Sequence, residues 1–170
     1  MLSLFPKAQR QPCDRRKHRQ QGVDTIAAHQ TALDLTSATL TSIEQLKAGL
    51  STATTFTVDL ADLTVGGTDS AVLGSSGNDT LTIKSTSYDL TSTALTSVEI
   101  LKAGSSAATT FTVNLSGTSD LASGGSVIGS TGVDTLVVAD STIDLSSITL
   151  SSVEIIKAGT ASATTFTIGS

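Results

Sequence analysis

The residues whose types and spacing invite chemistry lie in glycine–aspartate stretches. Gly74-Ser75-Ser76-Gly77-Asn78-Asp79-Thr80-Leu81-Thr82 is matched by Gly129-Ser130-Thr131-Gly132-Val133-Asp134-Thr135-Leu136-Val137, and Gly22-Val23-Asp24-Thr25-Ile26 keeps the end of the same pattern. Aspartate supplies a hard anionic oxygen, and glycine lets a backbone turn tightly with its carbonyls toward an ion. Gly77, Asp79, Gly132, Asp134 and Asp24 are therefore candidate Ca²⁺ turns. A competing expectation needs no metal: each aspartate hydrogen-bonds the amides of its own turn.

Catalytic chemistry finds less support. Cys13 and His18 fall in the leader, positions 1–21, and His29 stands where the next copy of the pattern carries Lys84, so none belongs to a recurring site. Serine is abundant, but no recurring His or Lys accompanies one to activate it as a nucleophile. The carboxylates recur one copy apart, which suits structure better than an acid–base pair. No enzyme activity is expected. Glu44, Glu99 and Glu154 recur with Lys47, Lys102 and Lys157 three positions later. They read as exposed ion pairs worth about 0–1 kcal/mol each, as ties from a strand end to turn amides, or as the mark of a ligand site.

The elements that must position these residues follow from an internal repeat. DLTSATLTSIEQLKAG begins at Asp34, DLTSTALTSVEILKAG at Asp89 and DLSSITLSSVEIIKAG at Asp144, a period of 55. Residues 24–78 and 79–133 share 27 identities in 55 positions, residues 22–23 are a remnant of an earlier copy, and a third copy, 134–170, stops in mid-repeat as a fragment of a longer array would. A fixed period of this kind signals a solenoid. In Thr109-Thr110-Phe111-Thr112-Val113-Asn114-Leu115 apolar and polar residues alternate, which predicts a half-buried strand. Thr80–Ile83 and Thr135–Val138 alternate likewise. Leu95, Val98 and Leu101 have helical spacing ending at Gly104, but the flanking Ser and Thr favour a strand there too. Such short strands bury an apolar face only by stacking, with neighbouring coils ~4.8 Å apart. The expected fold is all-β, a parallel β-solenoid (β-helix or β-roll) with two or three coils per repeat. Two are favoured, because Thr80–Ile83 and Thr110–Val113 then share a wall. That wall would also carry Thr55/Thr57, Thr80/Thr82, Thr110/Thr112 and Thr165/Thr167, with Thr25 and Thr135 in partial rows.

Composition agrees with stacking. Ser and Thr number 54 of 170 residues and aromatics are 3%, which suits a narrow interior with a hydroxyl-rich outside. The apolar share of 38% is too high for a disordered polar tract. No apolar run reaches the ~18 residues of a membrane span, and one cysteine makes no internal disulfide. The net charge of −5 is +5 in residues 1–21 and −10 in residues 22–170. The leader is read as unstructured. Its apolar start is interrupted by Ser3 and ends at Pro6, unlike a secretory signal. A nucleic-acid arm at Arg15–Arg19 is disfavoured by the acidic, aromatic-poor body to which it is attached.

The glycine–aspartate stretches fit the nonapeptide G-G-x-G-x-D-x-U-x at every fixed position but the second, where Ser75 and Ser130 stand. Together with Leu95-Thr96-Ser97-Val98-Glu99-Ile100-Leu101 and Leu150-Ser151-Ser152-Val153-Glu154-Ile155-Ile156, they give residues 22–170 a pattern that resembles the haemolysin-type (RTX) calcium-binding repeat proteins. The resemblance implies a secreted or surface-attached bacterial protein with a β-roll or β-helix and Ca²⁺ as a cofactor. A single nonapeptide in each repeat departs from the tandem nonapeptides of that family. The expected function is a non-enzymatic structural or adhesive repeat segment. The alternatives are a calcium-dependent folding module of a secreted enzyme or toxin, and an ice- or glycan-binding threonine face. Expected partners are flanking repeats of a longer chain or a second copy docked end to end, with no nucleic acid and no transmembrane segment.

Overall fold

The computed structural model describes residues 22–62, 70–115, 121 and 124–169; the leader 1–21 lies outside the described residues. Alternating apolar and β-branched residues form sixteen short strands among the described residues. The first eight are β1 (Thr25–Ala28), β2 (Ala32–Asp34), β3 (Gln45–Ala48), β4 (Thr55–Val58), β5 (Ala71–Leu73), β6 (Thr80–Ile83), β7 (Ser87–Asp89) and β8 (Ala94–Thr96). The rest are β9 (Ile100–Ala103), β10 (Thr110–Val113), β11 (Ser126–Ile128), β12 (Thr135–Val138), β13 (Thr142–Asp144), β14 (Thr149–Ser151), β15 (Ile155–Ala158) and β16 (Thr165–Thr167). The expected strand after Val98 is β9. No helix among the described residues is long and apolar enough to cross a membrane.

The fold is a parallel β-solenoid of about six turns. Its first wall is β1-β3-β5-β8, its second β2-β4-β6-β9-β11-β14 and its third β7-β10-β12-β15. The pair β13-β16 follows third-wall strands in the chain and so takes the first wall's place in the last coils. Each strand pairs in parallel with the strand one coil on. Along the second wall Ala32 meets Thr55, Thr55 meets Thr80, Thr80 meets Ile100, Ile100 meets Ser126 and Ser126 meets Thr149.

Those five steps cover 117 residues, or 23.4 per coil, so one 55-residue repeat makes about 2⅓ coils. The expectation of two coils is corrected. Equivalent strands move round by one wall per repeat: β1, β6 and β12 stand on the first, second and third walls. Thr80–Ile83 is on the second wall and Thr110–Val113 on the third, so they do not share a wall. The single threonine array is likewise not formed. Thr55/Thr57 and Thr80/Thr82 lie on the second wall, Thr110/Thr112 and Thr135 on the third, and Thr25 and Thr165/Thr167 in the first wall's place. The cause is arithmetic, since 55 is not a whole number of coils.

Alternation fills the interior. Phe56, Val58, Leu81, Ile83, Phe111, Leu136 and Val138 face inward and are buried, while the threonines between them face outward. Burying each such side chain stabilises the stack by roughly 1.5–3 kcal/mol. The narrow cross-section leaves room for one Phe per repeat, which explains the scarcity of aromatics.

Candidate functional site

The glycine–aspartate turns sit where the chain enters β6 and β12, at a corner of the solenoid. The Asp79 and Asp134 side chains are fully buried, although aspartate is among the residues least often buried. What makes this tolerable is a set of donors from two coils. Asp79 Oδ1 accepts the Thr54 amide, from one coil earlier, at 2.6 Å. Its Oδ2 accepts the Ser75 amide and, at 2.8 Å, the Ser75 hydroxyl. Asp134 repeats the arrangement with Thr109 at 2.6 Å and with the Ser130 amide and hydroxyl, the latter at 2.9 Å. Charge-assisted bonds of this kind are stronger than neutral ones.

Burial alone would raise the Asp134 pKa, but the bonds from Ser130 and Thr109 outweigh it and hold the group below the usual 3.8. The carboxylate is thus kept ionised by N–H and O–H donors. A cation bound there would have to face those donors or displace them.

The neighbouring residues complete the corner. Ser75 Oγ accepts the Gly77 amide at 3.0 Å, and Ser130 Oγ accepts the Gly132 amide at 2.9 Å. The Glu99 and Glu154 carboxylates accept the Asp79 and Asp134 amides at 2.8 and 2.7 Å, and Glu44 accepts that of Asp24 at 2.8 Å. Of the roles read for these glutamates, the tie to turn amides is the one formed. The Asp79 carbonyl in turn accepts the Glu99 and Ile100 amides. Each Asp–Glu pair therefore clamps one coil to the next.

The glycines are explained by close approach between coils. A Cβ on Gly74 or Gly129 would lie 1.7 Å from the carbonyl oxygen of Ser97 or Ser152, and one on Gly77 or Gly132 would lie 2.3 Å from the amide of Ala53 or Ala108. Ser97 and Ser152 adopt a left-handed conformation, each with φ of 52°, that brings their carbonyls onto those glycines. Neither the requirement for Gly74 and Gly129 nor the role of the Thr54 and Thr109 amides was visible as chemistry in one repeat. The recurrence of Ala-Thr-Thr-Phe at a fixed distance ahead of Asp79 and Asp134 was the available signal.

Asp24 stands apart. Its amide is held by Glu44, but its side chain is exposed, and the preceding positions carry Arg19 and Gln20 where the later copies have Gly and Ser. Of the five candidate residues, Gly77 and Asp79 meet in one turn, Gly132 and Asp134 in another, and Asp24 in neither. No group of three or more His, Cys, Asp or Glu able to hold a metal ion occurs among the described residues.

No family model, curated protein or solved structure matches this chain.

Proposed function

We propose that the chain is a non-enzymatic structural repeat segment, a rod or spacer of stacked coils, in which Asp79 and Asp134 are hydrogen-bonded latches that need no Ca²⁺. The observation that carries this reading is where the recurring polar residues go. Asp79, Asp134, Ser75, Ser130, Glu99 and Glu154 all direct their side chains into bonds that close a turn or join neighbouring coils. A location outside the cell, on a bacterial surface or secreted, is supported by the resemblance of the turns and of the L-x-x-V-E segments to haemolysin-type repeats. Adhesion would then be a property of the outer faces.

A spacer has a measurable property: length that grows with copy number. At 2⅓ coils per repeat and ~4.8 Å per coil, each added copy extends the rod by about 11 Å. Variants carrying one and two extra copies of residues 79–133, spin-labelled outside the insertion, test this by distance measurement. The expected result is a regular increase of that size per copy. A separation that does not grow with copy number, or catalytic turnover by the purified chain, overturns the reading.

A further inference from the structure

We draw no further inference here: the strongest candidate, the buried Asp62 carboxyl at the corner after β4, bonded to the Asp59 amide and with its Oδ1 unpartnered among the described residues, carries nothing, because it adjoins residues 63–69, which lie outside the described residues, and nothing in the structure shows what it faces.

Discussion

Asp134 and Asp24 occupy the same place in the repeat and live in different physical worlds. Asp134 is buried, accepts donors from two coils and has its pKa held down by them. Asp24 has an exposed side chain and no coil before it among the described residues, and it is clamped through its backbone alone, its amide by Glu44 and its carbonyl by the Glu44 and Gln45 amides. The difference teaches that the motif is not a self-contained turn. It becomes a site only when a preceding coil brings a threonine amide to it, so its stability belongs to the stack.

The largest effect should come from removing the carboxylate in one setting and not the other. Asp134→Ala leaves the buried Thr109 amide and the half-buried Ser130 amide without their acceptor and should cost about 3 kcal/mol, read as a shift in the urea unfolding midpoint. Asp24→Ala should stay within about 0.5 kcal/mol. Equal losses would show that the two positions are equivalent after all.

Glycine substitutions sharpen the same contrast. Gly129→Ala forces a methyl against the Ser152 carbonyl and should destabilise by roughly 1–3 kcal/mol or more. Gly22→Ala meets nothing within 4 Å and should change stability little. Thermal unfolding of both variants checks this pair.

Acid provides a smaller, graded test. The folded pKa of Asp134 lies below its ordinary 3.8, so its contribution is complete above that value and is lost as pH falls through the lower folded one. Asp134→Asn should flatten this part of the stability–pH curve. Asp62 should act with the opposite sign. Desolvation raises its pKa, the nearby Asp59 and Asp34 charges add to that, and its buried Oδ1 has no hydrogen-bond partner among the described residues. Its ionised form therefore opposes folding above the folded pKa, and Asp62→Asn should raise stability at neutral pH. The second copy already carries Asn114 and Gly117 where the first has Asp59 and Asp62.

Much of this was legible in the sequence. The alternation of Phe111, Val113 and Leu115 announces an inward face, and a fixed repeat period with few aromatics announces stacked coils. The buried state of Leu81 and Leu136 follows from the same pattern. The wall each strand occupies was not legible, because coil steps are unequal and are set by corner geometry that composition does not reveal. The step from Thr80 to Ile100, for one, is shorter than the step from Ile100 to Ser126. That hid the 2⅓-coil advance and made Thr80 and Thr110 look like neighbours. The glycines were read for their freedom to turn, whereas Gly74 and Gly129 answer to the Ser97 and Ser152 carbonyls of the following coil. A contact between coils leaves its trace in recurrence and none in the turn itself.

The central claim is that the Asp79 and Asp134 turns are closed by protein donors and work without metal. The most direct test is thermal unfolding of the full chain in chelator and then in millimolar calcium at neutral pH. The same melting temperature is expected in both. A melting temperature that rises with calcium, and loses that rise in Asp134→Asn, would contradict the claim.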